Sequence, residues 1–194
     1  MVIFLTLLGW TILIQPTLGA PPDWPKVCPE IISKTRWGAR TPIAVDYGRV
    51  PTPNIVIHHT VTNECSTESA CMQLLRSIQN FHIDTMEFQD IGYNFVIGGD
   101  GQVYEGAGWH KVGAHTRGYN TRSLGIGFIG NFSDKLPNQK MLTALRNFLQ
   151  CGVELGEIES DYRLFAARQV SSTLSPGTRF YHELKNWPHF APSP

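Results

Sequence analysis

A run of apolar β-branched residues that ends in two histidines is the segment that most restricts how this chain can fold. Residues 55–57 read Ile-Val-Ile, and His58, His59 and Thr60 follow directly. Such a run is typical of a buried strand, so we expect the polar residues at its end to emerge at the rim of a sheet. Histidines in that position bind a metal, transfer protons or hydrogen-bond a ligand. Which of these roles the two histidines have depends on the side chains that other parts of the chain bring next to them.

The remaining segments alternate between helix-like and strand-like patterns. Apolar residues at helical spacing predict helices over 70–84, 138–154 and 180–186. Ser69 or Thr67 is the expected cap of the first helix, and Trp37 falls in a segment predicted to be irregular. Further strands are predicted over 90–97, 102–105, 124–129 and 164–170, of which the first two form a hairpin. This order predicts a mixed α/β (α+β) fold, with a central mixed β-sheet flanked by about three helices.

The first 20 residues have the composition of a secretory signal peptide. They contain no charged side chain, residues 2–8 are apolar apart from Thr6, and the segment ends at Leu18-Gly19-Ala20. A membrane anchor is the alternative, but Gln15 and Pro16 interrupt the apolar run too early for a span. We therefore expect a secreted, extracellular protein without a membrane anchor, in which residues 1–20 are removed and residues 21–194 form a single domain.

Charge is balanced along the chain, with 16 basic and 16 acidic side chains and no long run of either sign. A surface that binds nucleic acid or an anionic membrane needs a concentrated positive patch. We therefore expect neither nucleic acid nor a membrane surface as a partner.

The four cysteines are expected to form disulfides, because this is the usual fate of cysteines in a secreted chain. Four cysteines allow three pairings. Cys65 and Cys71 enclose a short polar loop and suit a local bridge, which leaves Cys28 and Cys151 to pair across the domain. A zinc site is the alternative, but no pair has the two-residue gap of a zinc knuckle.

Sequence signatures of two enzyme classes are absent. The chain has no Gly-x-Ser-x-Gly motif, and residues 98–101 fit a hairpin turn better than a phosphate-binding loop. For any one of the seven histidines taken alone, a structural or surface role is the more common one. The enzymatic possibility that remains is a zinc hydrolase, which needs three protein ligands and one open position for water.

A series of short motifs resembles a known family. The motifs are Ile-Val-Ile-His-His-Thr at 55–60, Asp-Ile-Gly-Tyr-Asn-Phe at 90–95, Gly-Gln-Val-Tyr-Glu-Gly at 101–106, Gly-Ala-His-Thr at 113–116, Gly-Tyr-Asn at 118–120, Leu-Gly-Ile at 124–126, Leu-Ser-Pro-Gly at 174–177 and Trp-Pro-His-Phe at 187–190. From about Cys28 to Phe190 the chain resembles the short, secreted peptidoglycan recognition proteins, which are related to bacteriophage-type zinc amidases. The resemblance implies the amidase-like fold, and the two disulfides favoured above are the usual pair of that family.

The resemblance also implies a degenerate zinc site. In amidase members, a histidine that matches His58, a second histidine and a cysteine bind the metal. Here Ala167 stands in place of the second histidine and Ser175 in place of the cysteine. Alanine cannot coordinate a metal, and a neutral serine hydroxyl is a poor zinc ligand. We therefore expect no zinc cofactor and no amidase activity, although Tyr93 and Thr173 match residues near the amidase centre.

By the same resemblance, a set of polar side chains is expected to line a peptidoglycan-binding groove. These residues are His59, Thr60, His82, Tyr93, His115 and Asn120. Imidazoles, hydroxyls and amides suit the sugar, amide and carboxylate groups of a muropeptide. We expect His59 to be a better ligand contact than His58, which is a remnant of the metal site that is free to hydrogen-bond. The alternative is that these side chains only satisfy buried backbone groups.

Two departures from the family pattern bear on which stem peptide is bound. Members that prefer diaminopimelate tend to carry an arginine within Gly-Arg-Gly-Trp, where this chain has Ala107 before Trp109, and a Gly-Trp pair where it has Glu87-Phe88. Glu87 would repel an extra carboxylate and attract a lysine ammonium. We therefore expect lysine-type peptidoglycan, although Arg122 lies nearby in sequence and its direction is open.

The resulting hypothesis is a secreted, non-catalytic pattern-recognition receptor that binds bacterial peptidoglycan in innate immunity. In the insect members, binding recruits other recognition proteins and a serine-protease cascade that activates Toll signalling, so such partners are expected here. The alternatives are a residual hydrolase that uses Ser175 with His58 or His59, and a regulator that binds muropeptide without signalling. Asn131-Phe132-Ser133 is in addition a candidate N-glycosylation site.

Overall fold

A six-stranded mixed sheet forms the centre of the fold in this computed structural model, which describes residues 28–194. The strands are β1 (Ile31–Ile32), β2 (Thr52–His59), β3 (Phe95–Ile97), β4 (Val103–Glu105), β5 (Leu124–Phe128) and β6 (Ile158–Ala166). They are ordered β1-β4-β3-β5-β2-β6 across the sheet. Only the β3–β4 hairpin is antiparallel among these pairs, so the predicted mixed sheet is confirmed.

Three long helices and two single turns surround the sheet. The helices are α1 (Lys34–Trp37), α2 (Glu68–Asp84), α3 (Gln139–Glu154), α4 (Ala167–Val170) and α5 (Thr178–Leu184). The three predicted helices correspond to α2, α3 and α5. Thr67 caps α2 by accepting the Ala70 N–H, and Asn138 caps α3 in the same way. In the part of the chain that the structure describes, no helix is long and apolar enough to span a bilayer.

Three local predictions were wrong, each for an identifiable reason. Trp37 lies in α1 rather than in an irregular segment, because Ser33 caps this turn and Gly38 ends it in the left-handed region. The predicted strand 90–97 begins only at Phe95, since the Gly92 N–H bonds the His82 ring instead of a neighbouring strand. The predicted strand 164–170 ends at Ala166, whose N–H donates to the Gln169 side chain and starts α4.

Each face of the sheet packs against a different pair of helices. Alternate strand residues such as Ile57, Phe95 and Ile126 pack against α3 and α5. On the other face, Val96 and Tyr104 pack against α1 and α2. The alternation matters for function because successive polar residues of β2, such as His58 and His59, project to opposite faces of the sheet.

Two disulfides hold the periphery of this fold. Cys28 bonds Cys151 of α3, and Cys65 bonds Cys71 of α2, which is the pairing favoured from the sequence. The predicted signal peptide, residues 1–20, lies outside the described residues.

Candidate functional site: a row of aromatic rings

Five rings from four separate segments form a continuous row on the α2-facing side of the sheet. The order is Phe88, His82, Tyr93, His58 and His115, and successive ring centroids are 5.4, 5.6, 5.6 and 5.4 Å apart. His58 is 7% exposed, and the other four side chains are partly exposed. We call these five residues the aromatic row. The structure therefore brings together five of the residues that the sequence assigned to the site.

Two glycines of β5 make room for the row. A Cβ at Gly125 would lie 2.2 Å from Cγ of His115, and one at Gly127 would lie 2.9 Å from Cδ2 of Tyr93. Any side chain at either position would therefore overlap a ring. The Leu-Gly-Ile-Gly-Phe sequence of β5 places its large residues toward α3 and leaves the opposite face flat for the rings of His115 and Tyr93.

One hydroxyl joins the two histidines at the end of the row. Thr116 Oγ1 lies 3.1 Å from Nδ1 of His115 and 3.2 Å from Nε2 of His58. The hydroxyl has one proton, so it donates to one ring at most and accepts from the other. Asn120 holds this turn, because its Oδ1 accepts the N–H groups of His115 and Thr116. The sequence assigned no role to Thr116.

Asn94 is a second residue that the sequence did not identify. Its side chain is fully buried, and its Nδ2 donates to the carbonyls of Gly108 and Lys111 at 3.1 and 2.7 Å. Its Oδ1 accepts the Gly125 N–H at 3.0 Å. Asn94 therefore ties the 106–111 loop to the strand beneath the row. A single polar residue inside the run Tyr-Asn-Phe-Val-Ile was the available signal.

His59 does not face the row. Its Nδ1 accepts the Phe132 N–H at 3.1 Å, and its side chain is on the same side as Ile55 and Ile57, opposite His58. The sequence favoured His59 over His58 as a ligand contact, whereas alternation along β2 directs His58 rather than His59 toward the row.

Some of the polar side chains predicted to bind peptidoglycan instead hydrogen-bond backbone groups. This agrees in part with the alternative that these side chains have only a structural role. His82 Nδ1 accepts the Gly92 N–H, and Thr60 Oγ1 accepts the Gly130 N–H. The Asn120 amide oxygen has the two partners given above. The Nε2 atom of His82 can still bond a ligand, whereas Oδ1 of Asn120 already accepts two backbone hydrogen bonds.

Trp109 does not belong to this site. Its ring stacks on Phe148 of α3, with centroids 4.9 Å apart, and contacts Phe95 at 4.5 Å. It is therefore on the α3 side of the sheet, away from the aromatic row with which the sequence grouped it. Ala107 is buried and lines a separate cavity of about 120 Å³ together with Asp46 and Lys111.

The remaining specificity residues lie at the surface. Glu87 is exposed and adopts φ of 56°, next to Phe88 at the end of the row. The Arg122 guanidinium lies over the Tyr119 ring at 4.3 Å. This stacking settles the direction of Arg122, which the sequence left open.

The residues that the resemblance assigns to the family's zinc positions, His58, Ala167 and Ser175, do not form a suitable set of zinc ligands. Ala166 pairs with Ile57 in the sheet, so Ala167 follows beside His58, with a fully buried methyl group. Ser175 is close to the same strand end, where its Oγ accepts the His59 backbone N–H at 3.0 Å. A methyl group has no lone pair, and a hydroxyl binds zinc poorly. Across residues 28–194, no group of three His, Cys, Asp or Glu side chains is placed to hold a metal.

The alternative of Ser175 as a nucleophile gains no support from this geometry. A serine nucleophile needs a base within hydrogen-bonding reach of its Oγ. The partner of Ser175 Oγ is a backbone N–H, and no imidazole nitrogen of the described residues bonds it.

Burial keeps the histidines of the row uncharged. Burial lowers the pKa of His58 well below its ordinary value, and the neighbouring His115 and His59 lower it further. Burial lowers the pKa of His115 to about 4 and also lowers the pKa of His82. Burial raises the pKa of Tyr93 to about 12. At neutral pH the row therefore presents neutral donors and acceptors.

These shifts predict that the protein loses stability in acid. The unfolded chain takes up protons at its histidines near pH 6.5, whereas His115 in the folded chain does so only near pH 4. The free energy of unfolding should therefore fall as the pH drops from about 6.5 to about 4, by up to about 3 kcal/mol for His115. Urea unfolding at a series of pH values measures this. His115→Asn should flatten the dependence and His182→Asn, an exposed control, should not; equal slopes for all three proteins would contradict the assignment.

The comparisons with known proteins agree with this geometry. The family model described as N-acetylmuramoyl-L-alanine amidase matches residues 48–178. Peptidoglycan-recognition protein 2 of Holotrichia diomphalia is 52% identical over 167 residues, which cover 86% of this chain and 89% of the relative. The solved structure of Drosophila peptidoglycan recognition protein SA superposes with a TM-score of 0.85 at 48% identity, and the match covers 86% of this chain and 96% of that one.

A third similar structure contains a ligand. Peptidoglycan recognition protein-LE was solved in complex with tracheal cytotoxin, a monomeric diaminopimelic acid-type peptidoglycan. It superposes with a TM-score of 0.82 at 46% identity, and the match covers 83% of this chain and 95% of that one. With a family model that spans most of its length and a relative of this identity, the chain belongs to the peptidoglycan recognition protein family.

Proposed function

We propose that this chain is a secreted, non-catalytic recognition protein that binds bacterial peptidoglycan through the aromatic row. The observation that carries the proposal is the row itself, in which uncharged imidazoles and a tyrosine from separate segments meet on one face of the sheet. The complex of the related protein LE with a peptidoglycan fragment supports the choice of ligand.

The chemistry of the row suits a muropeptide. Sugar rings present apolar faces that pack on aromatic rings, while amides and hydroxyls need neutral hydrogen-bonding partners. The Nε2 atom of His115 is buried and has no hydrogen-bond partner among residues 28–194, so a ligand in the row can supply one. Neutral imidazoles each offer one donor and one acceptor, which suits amides better than a charged site would.

The proposal of no catalysis is supported by the composition of the former metal site. Hydrolysis of an amide by this family's chemistry requires a zinc ion with three protein ligands. Here His58 is the only one of the three that is a good ligand, and its Nε2 already bonds Thr116.

We propose a preference for lysine-type peptidoglycan. Ala107 brings no positive charge to the surface where members with an arginine there have a partner for the extra carboxylate of diaminopimelate. The cavity beside Ala107 contains both an acidic and a basic side chain, Asp46 and Lys111, whereas Glu87 is exposed next to Phe88 at the end of the row. The Glu87 carboxylate therefore favours an ammonium over a second carboxylate.

A sedimentation assay with insoluble lysine-type and diaminopimelate-type peptidoglycan tests the proposal. We expect stronger binding to the lysine-type polymer, loss of binding in His115→Ala, and normal binding in His182→Ala, which lies outside the row. Stronger binding to the diaminopimelate-type polymer would contradict the preference. Release of stem peptides that stops on adding a chelator would contradict the non-catalytic role.

The downstream partners follow from the family and are part of the proposal. Ectodomains of the related proteins LCa and LCx form a complex with each other around tracheal cytotoxin. By analogy, the peptidoglycan-bound form of this chain recruits other recognition proteins and a serine-protease cascade that activates Toll signalling.

A further inference from the structure

Asn131 has the surroundings of a modified asparagine. It is the first residue of Asn-Phe-Ser, the only Asn-x-Ser/Thr triplet in the whole sequence. The side chain is exposed, and its Oδ1 accepts the N–H and the hydroxyl of Ser133 at 3.0 and 2.8 Å. Its Nδ2, the atom that an N-linked glycan occupies, bonds none of the residues in the described range 28–194. A glycan at this atom therefore displaces no hydrogen bond of that range.

The backbone on both sides of Asn131 is fixed to the end of β2. The Gly130 N–H donates to Thr60 Oγ1 at 3.0 Å, and the Gly130 carbonyl accepts the Val61 N–H at 2.9 Å. The Phe132 N–H donates to Nδ1 of His59 at 3.1 Å. Asn131 is thus anchored beside residues 59–61, which directly follow His58 of the aromatic row.

The surface next to Asn131 is apolar for an exposed position. Val61 is 62% exposed and adopts φ of 57°, a strained conformation for a β-branched residue. Shielding this apolar side chain from water is favourable. A bulky, hydrophilic glycan attached to the neighbouring segment would cover the Val61 side chain.

We propose that Asn131 carries an N-linked glycan and that this glycan shields the side of the row next to Thr60, beside His58. In the attachment, Nδ2 loses one proton and bonds the anomeric carbon of an oligosaccharide, and the lipid pyrophosphate donor leaves with the electrons of the broken C–O bond. The shielding part rests on the proposed function. The Asn131 glycan limits the row to peptidoglycan fragments and strand ends that do not extend over Thr60, and it disfavours long glycan strands that continue past this residue.

The first test is the mass of the protein secreted by insect cells. We expect wild-type protein and Ser133→Thr, which keeps the triplet, to lose mass on treatment with peptide N-glycosidase. Ser133→Ala and Asn131→Gln should have the unmodified mass from the start. An unmodified mass for the wild-type protein would overturn the assignment.

The second test compares binding by Ser133→Ala and Ser133→Thr. We expect equal affinity for a soluble monomeric muropeptide and severalfold stronger binding of the insoluble polymer by Ser133→Ala. Equal binding of the polymer by the two variants would overturn the shielding. If neither variant binds either ligand, the proposed function and the shielding both fail, while the mass measurement decides the modification independently.

Discussion

Replacing Ala167 with histidine and Ser175 with cysteine should change zinc binding from weak to about one ion per chain. The double variant A167H/S175C restores, by resemblance to amidase members, the set of two histidines and one cysteine that suits a catalytic zinc with one open position. His58 is already in place on the same face as Ala167, because Ile57 and Ala166 are paired in the neighbouring strands. We expect no other variant of this chain to increase its zinc content as much.

The surroundings of Ser175 favour a thiolate at that position. The His59 backbone N–H that now donates to Ser175 Oγ would donate to the cysteine sulfur. The Arg168 guanidinium is close enough to lower the pKa of His59, after the larger effect of burial, so its charge would also favour a thiolate. Both contacts are already present and require no movement of the backbone.

Metal analysis after dialysis against zinc measures the outcome, with circular dichroism to confirm that each protein is folded. The single variants Ala167→His and Ser175→Cys are the matched controls, and each should hold zinc more weakly than the double variant. Stoichiometric zinc in the wild-type protein would contradict the interpretation of the site. A folded double variant that binds no zinc would show that differences other than residues 167 and 175 prevent this chain from binding zinc as the amidases do.

The face of the sheet on which His58 lies could not be predicted from the sequence. The run Ile55–Ile57 is apolar at every position, because β2 lies between two neighbouring strands and is covered on both faces. A strand of this kind has no alternation of polar and apolar residues to indicate a side. The strand itself was therefore predictable, whereas the choice between His58 and His59 depended on the packing of α2 and α3.

Residues that act through long-range contacts were missed for a related reason. Thr116 and Asn94 matter because of bonds to His58 and Gly125, which are 58 and 31 residues away. The packing of Trp109 on the α3 side was not evident from the sequence, because the chain turns at Gly108, with φ of 89°, and Ala107 and Trp109 end in different environments. Helices α2 and α3 were predicted well, since their capping residues and apolar spacing are local features.

Gly125→Ala should disrupt the aromatic row by placing a methyl group against the His115 ring. The new Cβ would lie 2.2 Å from the His115 ring, whose backbone N–H is held by Asn120. Either the ring leaves its position, which breaks its bond to Thr116, or β5 moves away from its neighbours. We expect a loss of about 1–3 kcal/mol in the free energy of unfolding, as for other overpacked sites. Peptidoglycan binding should fall about tenfold or more if the displaced His115 ring loses about 1.4 kcal/mol of its proposed interaction with the ligand, because 1.4 kcal/mol of binding free energy is about tenfold in affinity.

Gly48→Ala is the matched control for this substitution. A Cβ at Gly48 meets Val112 at 3.8 Å, which is an ordinary contact, so stability and binding should stay near the wild-type values. Urea unfolding and sedimentation with lysine-type peptidoglycan measure both properties. Gly127→Ala, with a contact of 2.9 Å to the Tyr93 ring, should fall between the two.

The double variant G125A/H115A separates packing from recognition. Removing the ring removes the overlap, so we expect the double variant to regain most of the stability that Gly125→Ala loses. This is the non-additivity expected of residues in contact. Binding should not return, because the imidazole that we propose as a ligand contact is then absent. If Gly125→Ala instead binds and unfolds like Gly48→Ala, the His115 ring moves freely and the row is not the rigid surface that recognition requires.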